Sequence, residues 1–178
     1  MMQSRLILPI ATVTLLSAMT LSPVSAQFGG FFGGPKVETI GTADLSRLLQ
    51  QQQQVEAKSE ERGTNSPQSS FVVVDVRSEA EVKVSVIPGA ITKAQYEKNR
   101  RQYQGRTVIP YCTVGGRSTA YAKQLAKAGV KVKNYQGSIL KWVGAGLPLV
   151  TLDGQSTNRV HTYSDRYRIP AKYEQVTE

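Results

Sequence analysis

The chain has 178 residues, with 22 Lys and Arg against 13 Asp and Glu, a net charge of +9 and 40% hydrophobic residues. That length and composition suit one domain with a real core, and the positive balance draws small anions. One cysteine excludes an internal disulfide, and one cysteine with one histidine are too few for an ordinary structural zinc site. The basic residues are scattered, apart from a dense spot at Lys98–Arg101, and lack the long stripe interleaved with aromatics that a nucleic-acid track needs.

Residues 1–26 read as a secretory signal peptide: Arg5 is the only charge, Leu6 to Leu21 is almost all apolar, and Val24-Ser25-Ala26 offers small residues before a cleavage point. The apolar run is short for a membrane span, and no cysteine follows it to carry a lipid anchor. The expected location is secreted, periplasmic or an organelle lumen, with no stable membrane span after cleavage. Residues 27–36, rich in Gly and Phe, read as a linker.

Residues 37–40 are a short strand candidate. Thr42 suits an N-cap for a helix over residues 43–54, with Leu45, Leu48 and Leu49 on one face, and the polar residues 56–70 read as a loop. Residues 71–75, Phe-Val-Val-Val-Asp, form an apolar run of the kind buried on both faces of a parallel sheet. Ser78 and Glu81 have capping-box spacing for a short helix ending near Val84. Pro88-Gly89 predicts a turn, residues 90–91 a short strand, and residues 94–103 a charged helix stopped by Gly105. Residues 107–111 predict a second buried strand, although Pro110 cannot donate to a ladder. Residues 118–128 predict a helix with Gly129 just past its end. Residues 130–135 predict a strand, residues 137–144 a short helix carrying Trp142, and Pro148 closes the domain. Strands alternating with helices predict an α/β fold: a mostly parallel central sheet with helices on both faces, three layers in all. The domain spans residues 37–150. Residues 151–178 form a polar C-terminal extension with Tyr163, Tyr167 and Tyr173, able to wrap back over it.

Cys112 falls at the carboxyl end of the second buried strand, where sites of such sheets lie. Two glycines at 115 and 116 let the backbone curl so that successive N–H groups point inward, and Ser118 suits the cap of the helix beyond. A thiol there is pushed toward the thiolate, its nucleophilic form. Arg117 either adds a fixed charge or braces the loop. The chemistry that fits is two-step covalent catalysis on Cys112.

Asp75-Val76-Arg77, Ile87-Pro88-Gly89-Ala90, the loop from Cys112 to Ser118, and Gly137-Ser138 with Trp142 and Gly146-Leu147-Pro148 stand in the order of the single-domain rhodanese-like family, which the chain resembles over residues 37–149. Val86 and Val114 stand where that family commonly has His and Ser. The resemblance implies a thiosulfate sulfurtransferase-like enzyme that carries sulfane sulfur as a persulfide on Cys112. Thr113, Val114, Gly115, Gly116, Arg117 and Ser118 would bind the substrate, and Asp75 and Arg77 would support the strand end and the loop. It implies a small anionic sulfur donor and a thiol or cyanide acceptor, and neither cofactor nor metal. The alternative is a binding or sulfur-relay module of the same fold, acting through a protein partner with little turnover. A cysteine phosphatase, which shares the anion cradle, typically spaces Cys and Arg by five residues; here four intervene. Glu81 reads as a helix-cap or surface carboxylate, His161 as structural, and Trp142 as core.

Overall fold

The computed structural model describes residues 36–177; the expected signal peptide and the linker up to Pro35 lie outside them. The elements run β1 (Glu38–Thr39), α1 (Thr42–Glu61), β2 (Phe71–Asp75), α2 (Glu79–Val84), β3 (Ile91–Thr92), α3 (Lys93–Lys98), a 3₁₀ turn (Arg100–Tyr103), β4 (Thr107–Tyr111), α4 (Gly116–Lys127), β5 (Lys133–Asn134), α5 (Ser138–Gly144), β6 (Leu149–Val150), β7 (Ser156–Thr157), β8 (Arg159–His161) and β9 (Glu174–Val176).

β3, β2 and β4 pair in parallel, as do β1 and β5. A parallel bridge between Val108 and Val132 joins the two groups, so the strand order is β1-β5-β4-β2-β3. β4 is therefore central, yet it contains Pro110. Val108 N–H donates to Lys131 O and Pro110 O accepts from Tyr135 N–H, so Pro110 turns its missing donor toward β5. β5 is only two residues long, and the ladder with β2, five residues in register, is intact. The proline thus costs the sheet one bond on its weaker side.

The alternation of side chains along β2 and β4 separates two cores. Val73, Ile109 and Tyr111 face Leu45 and Leu49 of α1 and Ile139, Trp142 and Val143 of α5. Val72, Val74 and Val108 face Tyr96 of α3 and Tyr121 and Leu125 of α4. Burial on both faces is why these two strands are nearly all apolar, and it gives the predicted three layers.

Several boundaries differ from expectation. α1 is capped by the backbone of Gly41, and Thr42 lies inside the helix with its hydroxyl bonded to Tyr135 OH at 2.9 Å. α1 also runs on through Glu61, into the segment expected to be a loop. Its Gln, Glu, Ala and Lys residues are good helix formers without an apolar stripe, and Gln52 bonds Glu56 one turn on. The charged helix after β3 is broken at Asn99 into α3 and the 3₁₀ turn. α4 starts at Gly116, two residues before the expected cap at Ser118.

The extension packs against the domain. β6 pairs with β7 and β8 with β9, Val86 bridges Val150, and Val160 and Tyr173 enter the α1/α5 core. Tyr173 OH donates to Leu147 O at 2.5 Å. Among the described residues, no helix is long and apolar enough to cross a membrane.

Candidate active site

β4 ends at Tyr111, and Cys112 begins the turn into α4. The turn needs Gly115: its φ is +99°, and a Cβ built there would lie 2.4 Å from Gln136 O. With Gly115 as the cap, Gly116, Arg117 and Ser118 form the first turn of α4, whose N–H groups have no intrahelical acceptor. Gly115 N–H donates to Cys112 Sγ at 3.1 Å, and the hydroxyls of Ser118 and Ser138 each lie 3.8 Å from it. Burial pushes the Cys112 thiol up, but the N–H groups of Ser118 and Gly115 and the two hydroxyls outweigh it and hold the thiol below its ordinary pKa.

Ser138, expected only as part of the closing Gly137-Ser138 pattern, joins the site. It lies at φ +55°, accepts Cys112 N–H at 3.0 Å and donates to Tyr135 O at 3.1 Å. Ile139 and Leu140 N–H donate to the carbonyls of Cys112 and Thr113, so the first turn of α5 pins the other side of the loop. A Gly-Ser pair opening a short helix was visible in the sequence; its contact with Cys112 spans 26 positions and was not.

Arg117 braces the loop. Its Nη1 and Nη2 donate to the Glu81 carboxylate at 2.6 and 2.7 Å, and Nη2 also donates to Thr113 Oγ1 at 2.8 Å. Thr113 in turn donates to Glu81 at 2.8 Å, and Glu81 accepts the N–H and hydroxyl of Ser78, completing the capping box. Of the two expected roles, helix-cap or surface carboxylate, Glu81 takes the first, and it is buried at 2% exposure because its second partner comes from a loop 36 residues away. Burial pushes its carboxyl up, but Arg117, Ser78 and Thr113 hold it far below the usual carboxylate range. The Glu81 bonds hold Arg117 above its ordinary value in turn.

Asp75 and Arg77 form a second pair, fully buried. Arg77 Nη2 and Nε donate to Asp75 at 2.7 and 2.9 Å, and its backbone N–H joins them at 3.0 Å. The guanidinium also donates to Ser85 O at 2.5 Å and to His161 O at 3.5 Å. Asp75 pairs in register with Tyr111, one residue before Cys112, so the pair ties the strand ends to α2 and to the extension without lining the space above the thiol. Val86 is buried and bridges Val150, and Val114 is half exposed at the rim of the loop.

Above Cys112 lies a pocket of about 300 Å³. The loop forms one wall, and Tyr163 and Tyr167 of the extension form the other. Sequence patterning gave no sign that these tyrosines reach Cys112. His161 does not touch the thiol; its Nδ1 accepts Tyr163 N–H at 3.1 Å. No cluster of His, Cys, Asp and Glu among the described residues gathers as metal ligands do.

A family model described as a rhodanese-like domain matches residues 51–145. A sulfurtransferase of Allochromatium vinosum is 32% identical over 87 residues, 47% of this chain and 81% of the relative. A tRNA sulfurtransferase of Desulfurococcus amylolyticus is 32% identical over 71 residues, 40% of this chain but 14% of the relative. The crystal structure of a rhodanese-related protein from Thermoplasma volcanium superposes with a TM-score of 0.46 at 22% identity, covering 64% of this chain and 97% of that one.

Proposed function

The chain belongs to the rhodanese-like domain family, and from that premise we propose that it is an exported sulfurtransferase carrying sulfane sulfur on Cys112. The observation that carries the proposal is the Gly115 N–H aimed at Cys112 Sγ at 3.1 Å, at the start of α4, with the thiol held below its ordinary pKa. The Cys112 thiolate attacks the outer sulfur of a donor such as thiosulfate. The new S–S bond forms as the donor's S–S bond breaks, and sulfite leaves with the bonding pair. Cys112 is left as the persulfide anion, whose terminal sulfur lies within reach of the N–H groups of Gly116, Arg117 and Ser118. Cyanide or a thiolate then attacks that sulfur, leaves as thiocyanate or a persulfide, and restores the Cys112 thiolate. Thr113 and Arg117 act through Glu81 to keep the loop closed on the sulfur. Asp75 and Arg77 support the strand ends from below.

Export rests on the signal-like pattern of residues 1–26, with its single Arg5 and apolar core. Mass spectrometry tests the chemistry: treatment with a panel of sulfane donors adds about 32 Da, one sulfur, to the peptide containing Cys112. Cys112→Ser abolishes the adduct and thiocyanate formation. No adduct with any donor overturns the proposal. A relay role through a partner protein is favoured by the exposed apolar rim of Val114 and Tyr163 beside a thiol only 1% exposed; survival of partner capture and phenotype in Cys112→Ser would choose it over turnover.

A further inference from the structure

The extension contributes the part of the pocket that family membership does not assign, because Tyr163 and Tyr167 lie outside residues 51–145. We propose that these two tyrosines are specificity-determining residues, and that they select sulfane donors with an organic, preferably aromatic, body over the bare inorganic anion. The inference rests on the sulfurtransferase reading of Cys112.

The wall they form is built rather than frayed. Tyr163 has a φ of +68°, a region that a bulky L residue occupies only where its surroundings hold it. Here they do. His161 Nδ1 accepts Tyr163 N–H, and the His161 carbonyl takes a bond from the buried Arg77. Gln175 Nε2 donates to Thr162 Oγ1 at 2.8 Å, to Ser164 O at 3.1 Å and to Tyr167 O at 3.0 Å. The turn is clamped from both sides, yet the Tyr163 side chain it displays makes no core contact and is 69% exposed. The clamped turn thus holds an exposed aromatic ring beside the nucleophile, where a ligand can reach it.

Charge points the same way. Arg117 is the single cation lining the pocket, and three of its five N–H donors go to Glu81 and Thr113. Its positive charge is already balanced by a carboxylate, so a dianion gains little there. What remains at the rim is the Tyr163 ring, 5.9 Å from the Arg117 guanidinium, with Tyr167 and the exposed Val114. The volume, about 300 Å³, lies at the lower end of pockets that hold organic ligands. An organic thiosulfonate meets these conditions: its sulfane end carries one negative charge toward the loop N–H groups, and its body lies against the rings. The step balances as before. Cys112 thiolate takes the terminal sulfur of R–SO₂–S⁻, the donor S–S bond breaks, and R–SO₂⁻ leaves with the pair.

The experiment compares benzenethiosulfonate with methanethiosulfonate, two donors with the same reacting centre, using cyanide as acceptor. The wild-type chain prefers the benzene compound in kcat/KM by about tenfold, the range one aromatic body in a fitted apolar site confers. In Tyr163→Ala and Tyr167→Ala that ratio falls toward one, mainly through KM of the benzene compound, while Tyr163→Phe keeps it. Circular dichroism and persulfide formation on Cys112 confirm that each variant is folded and loaded. A ratio unchanged in Tyr163→Ala, Tyr167→Ala and the double variant, with the adduct still forming on Cys112, overturns this inference and leaves the sulfurtransferase reading standing. Absence of the adduct in the wild-type chain with every donor overturns both.

Discussion

Asp75–Arg77 and Glu81–Arg117 are both bidentate arginine–carboxylate pairs near the thiol, and they sit in opposite surroundings. Both side chains of the first pair are sealed at 0% exposure; in the second, Glu81 is 3% exposed but Arg117 is 43% exposed. The first pair joins residues two apart at the end of one strand, and its spare donors reach Ser85 and His161. The second joins residues 36 apart and holds a loop. A sealed pair cannot exchange partners with water, so it fixes where the strand ends lie. A pair with one wet partner can open, so the loop it holds is the more readily released of the two. The difference separates a fixed strand end from a loop that can open, on either side of Cys112.

The largest expected effect breaks the sealed pair. Asp75→Asn keeps the shape but leaves the Arg77 charge buried and unpaired, at a cost of about 3–5 kcal/mol. Equilibrium denaturation of the wild type and the variant measures it. A loss below about 1 kcal/mol would mean that Arg77 finds water, and the contrast between the pairs would collapse.

Glu81→Gln tests the other side. Arg117 can turn to solvent, so the expected loss of stability is smaller, about 1–3 kcal/mol, whereas sulfur transfer falls by a larger factor because Thr113 and Arg117 are released together. The pH dependence sharpens this. The Glu81 carboxyl is depressed in the folded state, so its contribution is complete above the ordinary carboxylate range, near pH 4.3. It fades only as pH falls below that range toward the depressed folded value. The stability difference between the wild type and Glu81→Gln should therefore be flat from neutrality to about pH 5 and shrink below it. A difference that stays flat below pH 5 would show that Glu81 titrates as an ordinary surface acid, with no shift on folding.

These two pairs also mark how far the sequence could be read. Asp75 and Arg77 are local: they stand two residues apart at a strand end, inside one of the motifs that carry the resemblance. Glu81 was half legible, since the spacing Ser78–Glu81 announces a capping box, but nothing local announces Arg117 and Thr113. The sheet was legible because strands buried on both faces leave continuous apolar runs at 71–75 and 107–111. The last turns of α1 were not, because helix propensity without an apolar stripe looks like a polar loop. The strands of the extension are two or three residues long and fixed by distant partners such as Gln175, so Tyr163 and Tyr167 gave no local sign of their place above Cys112.

Arg117→Lys should have a smaller effect than either carboxylate change. The ammonium keeps the charge beside Glu81 but cannot span both of its oxygens and Thr113 at once, so the loop loses about 1 kcal/mol of fixed geometry and little of its charge balance. Donor-dependent turnover should fall less than in Glu81→Gln. Equal losses in the two variants would show that fork geometry, and not the buried carboxylate, controls the loop.

The smallest effect belongs to Ser138, on the side of the loop that neither pair touches. Its hydroxyl carries one proton, and Tyr135 O at 3.1 Å is a nearer and stronger acceptor than Cys112 Sγ at 3.8 Å. Most of the thiolate's support therefore comes from the backbone N–H groups of Ser118 and Gly115, which no side-chain substitution removes. Ser138→Ala leaves Cys112 N–H without its acceptor and withdraws the weaker donor, so the midpoint of Cys112 alkylation by iodoacetamide against pH should move up, but only slightly, and stay below that of an ordinary thiol. A midpoint that rises to the ordinary thiol value would transfer the control of Cys112 from the helix backbone to the Ser138 hydroxyl, and would make α5, not α4, the element that activates the thiol.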